Sequence, residues 1–266
     1  MSYKEILFRV ENRVAYVTLN RPATLNALSM EMTHELQDAI DGVRREPGLR
    51  CMVLAGAGRA FCAGGDVKAF HAVAARGAAG ALTYELALVM HRAIAAMIRM
   101  PKPTIAAVHG FAAGGGVGLA LGCDLVIAAE GTRFDMAYAR IGASPDGGST
   151  YLLPRALGVK RALELALFGG ALDAQEALRR GLINWVVPHG ELEVAARDWA
   201  ERLARGPAHA LALGKGLMYR GLHEGLEAQM EAEAAGIGEC GRTADFVEGV
   251  AAFVEKRPPA FGKQEP

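Results

Sequence analysis

His109-Gly110-Phe111-Ala112-Ala113-Gly114-Gly115-Gly116-Val117-Gly118-Leu119-Ala120-Leu121-Gly122-Cys123-Asp124 is the stretch around which the rest of the chain is arranged. It follows Thr104-Ile105-Ala106-Ala107-Val108, an apolar run that predicts a short buried strand, and leads into 117–121, which predicts a helix. The three consecutive glycines therefore fall at a strand-to-helix turn. Glycine lets the backbone approach a ligand without an intervening Cβ, and the first N–H groups of a helix lack intrahelical partners and carry the positive end of its dipole. Such a turn can hold a negative oxygen, and a phosphate, an enolate or a tetrahedral oxyanion would each suit it. The spacing is neither G-x-G-x-x-G nor G-x-x-x-x-G-K-[ST], which removes most of the support for a nucleotide. Close helix packing by Gly114, Gly115, Gly116 and Gly118 is the other use these glycines could have.

Working outward, a second glycine turn appears at Gly56-Ala57-Gly58-Arg59-Ala60-Phe61-Cys62-Ala63-Gly64-Gly65-Asp66, between the strand-like 51–55 and a helical segment from Val67, with Asp66 placed to cap it. Two such turns could each aim one backbone N–H at a single oxygen, as a two-donor oxyanion hole requires. Residues 14–19 read as a strand, 28–43 as a helix with Ser29 at its start, and 81–99 as a long amphipathic helix ended by Met100-Pro101-Lys102-Pro103. A further strand at 125–129 is followed by 132–151, aperiodic and rich in Gly, Pro and Asp, which reads as a loop lining a site. Helices at 163–168 and 173–180 precede a strand at 183–187, and the chain is helical from Glu191 onward. Alternating strands and helices predict an α/β layering. The composition shift at Gly206-Pro207 divides the chain into a core, 1–205, and a helical appendage, 206–266.

The 266 residues suffice for one large domain with a smaller appendage, and 29 basic residues balance 29 acidic ones, so no field favours nucleic acid or an anionic membrane. A small-molecule partner is expected. The start Met1-Ser2-Tyr3-Lys4-Glu5 has no signal-peptide pattern, and no apolar run reaches membrane-spanning length without a charge or turn, which predicts a soluble cytoplasmic protein. Cys51, Cys62, Cys123 and Cys240 form no C-x-x-C pair and the histidines no H-E-x-x-H, so neither a metal nor a disulfide framework is expected. Cys62 reads as a small buried thiol rather than a nucleophile.

Leu19-Asn20-Arg21-Pro22, Leu25-Asn26-Ala27-Leu28, Phe61-Cys62-Ala63-Gly64-Gly65-Asp66, Ala112-Ala113-Gly114-Gly115-Gly116 and Glu248-Gly249-Val250-Ala251-Ala252-Phe253, spaced in this order over nearly the whole chain, resemble the crotonase, or enoyl-CoA hydratase/isomerase, superfamily. The resemblance implies an α/β spiral of ββα units with a C-terminal α-helical trimerisation region, a homo-trimer or dimer of trimers, and an acyl-CoA thioester substrate. No separate cofactor is implied, coenzyme A being part of the substrate. By the same likeness the oxyanion hole is the N–H of Gly65 and of Gly115, and Ala27, Ala63, Gly65, Asp66, Val67, Lys68, Phe111, Gly115 and Tyr138 border the substrate.

Hydratases of this family carry two glutamates that position and activate water, and the matching positions here are Gly118 and Tyr138, neither a base at neutral pH. A carboxylate stands instead at Asp146, where the resemblance is to family isomerases that shift double bonds and to a dehalogenase that forms an aryl-enzyme ester. Within the family, the run from Met136 to Arg155 looks most like the branch that isomerises ring-epoxidised aryl-CoA esters of phenylacetate catabolism. The expectation is therefore an acyl-CoA isomerase with Asp146 as proton shuttle. Hydration, covalent chemistry with Asp146 as nucleophile and His91 as base, and a non-catalytic acyl-CoA-binding role are the alternatives. Asp146 could also be no more than a turn residue capping the next helix, and His91 an ordinary helix residue. Tyr138 is expected to line the acyl pocket.

Overall fold

Asn12 and Arg13, both at positive φ (49° and 65°), close a two-residue hairpin between β1 (Ile6–Glu11) and β2 (Val14–Leu19). The structure, a computed structural model, describes residues 3–262; Met1 and Ser2 of the N-terminal stretch and 263–266 of the appendage lie outside it. The chain continues through α1 (Met30–Arg45), β3 (Cys51–Gly56), α2 (Val67–Ala74), α3 (Ala79–Arg99), β4 (Thr104–Val108), β5 (Phe111–Ala113), α4 (Gly115–Leu121), β6 (Leu125–Ala129) and β7 (Arg133–Asp135). After a 3-10 turn at Ala137–Ile141 come α5 (Ser149–Leu157), α6 (Val159–Phe168), β8 (Ala171–Asp173), α7 (Ala174–Arg179), β9 (Trp185–Val187) and α8 (Leu192–Ala204). The appendage is α9 (Ala208–Gly221), α10 (Leu226–Cys240) and α11 (Ala244–Val254).

The large sheet runs β1-β2-β3-β4-β6-β9, parallel from β2 onward, and a small sheet runs β5-β7-β8. Single bridges, Leu28↔Gly65 and Cys62↔Ala112, extend the small sheet's pairing back to the earlier turns of the chain. Each repeat thus makes a strand of the large sheet, a short strand or bridge of the small one, then a helix, which is the expected spiral. Parallel strands buried on both faces need apolar residues at every position. Alternate residues of β2, β3, β4 and β6 accordingly face two cores, one with Leu36, Met90 and Leu119, the other closed by Leu192, Ala196, Ala200 and Ala204 of α8.

Ser29 caps α1 by accepting from the Met32 N–H, and Asp66 caps α2 by accepting from that of Ala69. α3 has the length and apolar content of a membrane-spanning segment, yet it carries Glu85 and Arg92 and lays Leu86, Met90, Ala93, Ile94 and Met97 against the core. The structure corrects the expectation of a loop over 132–151: β7 and the 3-10 turn lie within it, and α5 begins at Ser149. Three-residue strands are too short to show a period, so β5, β7 and β8 carry no sequence pattern of their own.

Asn26, fully buried at φ 56°, explains the Leu-Asn-Ala-Leu motif. Its Oδ1 accepts from the Arg21 N–H and its Nδ2 donates to the carbonyls of Ala57 and Ala60, each at 2.8 Å, which fastens the turn after β2 to the loop after β3. Gly206-Pro207 falls in the break between α8 and α9. Among the described residues α9, α10 and α11 bury only Gly236 and Ala252, and Met218 (79%), Ile237 (63%) and Phe253 (86%) are exposed.

Candidate active site

Cys62 and Ala112 are partners in the bridge between adjacent turns of the spiral, and Gly65 and Gly115 each lie three residues beyond that pair. Equal offsets past a shared register bring the two glycines to one place. The residue before each donor, Gly64 (φ 88°) or Gly114 (φ 49°), takes the positive φ that redirects the next N–H. A Cβ on Gly64 would lie 2.7 Å from the Ala113 carbonyl oxygen and 3.4 Å from the Gly115 nitrogen, so the two turns pack backbone against backbone.

At the Leu28↔Gly65 bridge the bonds are made by the Gly64 carbonyl and the Asp66 N–H, which leaves the Gly65 N–H facing the other way. Gly115 is the first residue of α4, where an N–H has no intrahelical acceptor. Among the described residues no acceptor takes either N–H. Both glycines line one cavity of about 550 Å³, with Leu28, Phe70, Leu86 and Met90 as apolar walls.

Asp146 lines the same cavity, and it is the one carboxylate among its described lining residues. Its Oδ1 accepts from the Tyr138 hydroxyl at 2.5 Å. The N–H and the hydroxyl of Ser149 go instead to the Asp146 backbone carbonyl, at 3.1 and 2.6 Å, and α5 has no side-chain cap, so Asp146 is not the helix-capping turn residue it could have been. Tyr138 is buried with its ring beside Gly114. Burial first, and then the Asp146 charge, push its phenol above the ordinary range, which keeps it protonated and donating.

Of the other residues singled out in the sequence, Ala63, Val67 and Tyr138 line the cavity, whereas Ala27, Asp66, Lys68 and Phe111 do not. The Ala27 carbonyl accepts from Arg21, and the Asp66 carboxylate is held by Arg21 at 3.0 Å while capping α2. Lys68 is exposed on α2, and Phe111 is 47% exposed on β5. The sequence did not single out Leu86 and Met90; their one-turn spacing on α3 was the available signal. His91, outside the lining, accepts the Gly147 N–H on Nε2 at 3.0 Å. Cys62 is fully buried and burial pushes its thiol up to about 12, as expected of an inert core thiol.

A spiral of strand, short strand and helix, with Gly65 and Gly115 of neighbouring turns lining one cavity, places this protein in the crotonase-like class of α/β folds. Its sequence matches the family described as enoyl-CoA hydratase/isomerase over residues 9–264, and the chain belongs to that family. It is 44% identical over 263 residues to a Rhodobacter capsulatus protein named "Probable enoyl-CoA hydratase", covering 98% of this chain and 99% of that one. It is 41% identical over 256 residues to the 1,2-epoxyphenylacetyl-CoA isomerase of Escherichia coli, covering 96% and 97% of the two chains. The crystal structure of an enoyl-CoA hydratase from Polaromonas sp. JS666 superposes with a TM-score of 0.91 at 34% identity, over 96% of this chain and 98% of that one.

Proposed function

We propose that the protein is an acyl-CoA isomerase that moves a proton, and with it a double bond, through a thioester enolate. The observation that carries this is the single carboxylate of Asp146 in the cavity that also holds the Gly65 and Gly115 N–H groups. The thioester carbonyl oxygen sits between the two donors. An oxygen of Asp146 removes a proton from a carbon conjugated to that carbonyl, the C–H electron pair becomes a new carbon–carbon double bond, and the negative charge passes to the carbonyl oxygen. The two N–H groups stabilise that oxygen where water is excluded. The protonated Asp146 then returns the proton at the other end of the allyl system. One carboxylate suffices, and no water is consumed.

Hydration is the second reading, favoured by the printed names of the Rhodobacter and Polaromonas relatives. It needs one group to activate water and another to protonate carbon, and the two glutamate positions of the family's hydratases are filled here by Gly118 and by Tyr138, whose phenol is a donor. Asp146 would have to serve both steps alone. The segment Gly65 to Lys68 borders the CoA portion, and 206–266 forms the oligomerisation region of a trimer or dimer of trimers, its exposed apolar faces meeting a neighbouring copy. The test is a panel of 2-enoyl, 3-enoyl and aryl acyl-CoA esters followed by NMR. Isomerisation predicts a moved double bond and negligible hydration of crotonyl-CoA; 3-hydroxyacyl product from crotonyl-CoA as the dominant turnover selects hydration.

A further inference from the structure

Gly118 lies on α4 nearly one turn after Gly115, and the loop carrying Asp146 lies directly on it. A Cβ on Gly118 would stand 2.1 Å from the Gly147 carbonyl oxygen and 2.9 Å from its carbonyl carbon, closer than real side chains come to a backbone. From the other side, the position a Cβ of Gly147 would take is 3.5 Å from the Gly118 Cα and 3.6 Å from the Gly115 Cα. Gly147, at φ 61° and buried, therefore rests on the first turn of α4. Its N–H is taken by the Nε2 of His91, reaching over from α3. A backbone N–H can only donate, so this Nε2 carries no proton.

We propose that the bare Cα of Gly118 and the unprotonated Nε2 of His91 form a seat for the Asp146 loop, which makes His91 a positioning residue and Gly118 a specificity-determining position. The inference rests on Asp146 being the proton shuttle. The space in which a side chain on α4 would stand is filled by the loop backbone, so a carboxylate at 118 and the seated carboxylate of Asp146 exclude one another. The seat fixes the residue after Asp146, while Tyr138 fixes its Oδ1, so the carboxylate is held at two points a few bonds apart.

The test measures isomerase kcat and KM, acyl-CoA affinity and thermal unfolding for His91→Leu, His91→Gln, Gly118→Ala and Asp146→Asn in the full-length protein. His91→Leu, which offers no acceptor, is expected to lower kcat by about a hundredfold, the scale of a one-ångström misplacement of a reacting group, with KM and affinity nearly unchanged. His91→Gln, whose amide oxygen can accept from Gly147, should restore most of that loss. Gly118→Ala should behave as His91→Leu does, and the double variant should lose little beyond either single one, because both act through one loop. His91 is an exposed residue of α3, so its variants fold even where Gly118→Ala does not. Wild-type kcat in His91→Leu, or equal losses in the Leu and Gln variants, overturns the seat. If Asp146→Asn keeps full turnover, the shuttle and the seat both fall. If Asp146→Asn is dead while His91→Leu is fully active, the seat alone falls.

Discussion

Tyr138 shows what a single side chain adds to this site. Its bulk at a position matching a hydratase glutamate was legible, but its partner was not, because the 3-10 turn over 137–141 and the loop after it set where the hydroxyl points. A hydrogen bond to a charged group contributes about 1.5–3 kcal/mol, so Tyr138→Phe is expected to lower kcat by about tenfold or more with KM little changed. Steady-state kinetics checks this, and an unaltered kcat would mean that Asp146 is oriented without Tyr138. The two glycine turns were legible as strand-end signals, whereas Gly65 and Gly115 as the particular donors, and Asp146 as more than a turn residue, came from the family likeness; the structure puts all three on one cavity. As substrate neighbours Asp66 and Lys68 came from family likeness alone, whereas Asp66 as a helix cap was legible from its position; the structure has Asp66 capping α2 and paired with Arg21, and Lys68 exposed.

The elements bring Gly65 and Gly115 to one cavity through register. Eight strands and helices of the first half, β2, α1, β3, α2, α3, β4, α4 and β6, follow from apolar runs and caps, with β2, β4 and β6 matching their sequence limits to the residue. The small sheet did not, since three-residue strands and single bridges have no period, although they set the equal offset of Gly65 and Gly115 from Cys62 and Ala112. Gly115→Pro tests that arrangement: proline is tolerated at the first position of a helix but has no N–H. Losing one donor costs about 3 kcal/mol of barrier, so isomerase kcat should fall by about a hundredfold with folding retained by circular dichroism. At the other end of α4, Asp124 is gripped by Thr104, by Tyr219 and, at 2.8 Å, by Lys215 of α9, which also donates to the carbonyls of Met97 and Lys102. Lys215 and Asp124 are both largely buried, and stranding one charge of such a pair costs about 3–5 kcal/mol. Thermal unfolding of Lys215→Met should show a marked loss of stability; an unchanged midpoint would mean that α9 is not anchored there.

For the whole molecule, the C-terminal helical region α9 to α11 was legible as a composition shift, while the tie between it and the core through Lys215 was not, since it pairs residues 91 positions apart. The exposed Met218, Ile237 and Phe253 predict self-association, and light scattering at micromolar concentration should give a trimer or a multiple of it rather than a monomer. Stability should also fall in alkali. Burial raises the Cys51 and Cys62 thiols from the ordinary 9.0 to about 12, so the folded state keeps protons that the unfolded chain releases. That contribution is complete below pH 9 and is lost between 9 and about 12, which a series of unfolding midpoints across that range would register.

The most direct measurement of the central claim is product analysis for the wild-type protein and Asp146→Asn acting on enoyl-CoA esters in water enriched in heavy oxygen. The account predicts a shifted double bond with no heavy oxygen in the product, and turnover lowered by at least about a hundredfold in Asp146→Asn while acyl-CoA still binds. A 3-hydroxyacyl product carrying the label, or isomerisation by Asp146→Asn at the wild-type rate, would contradict it.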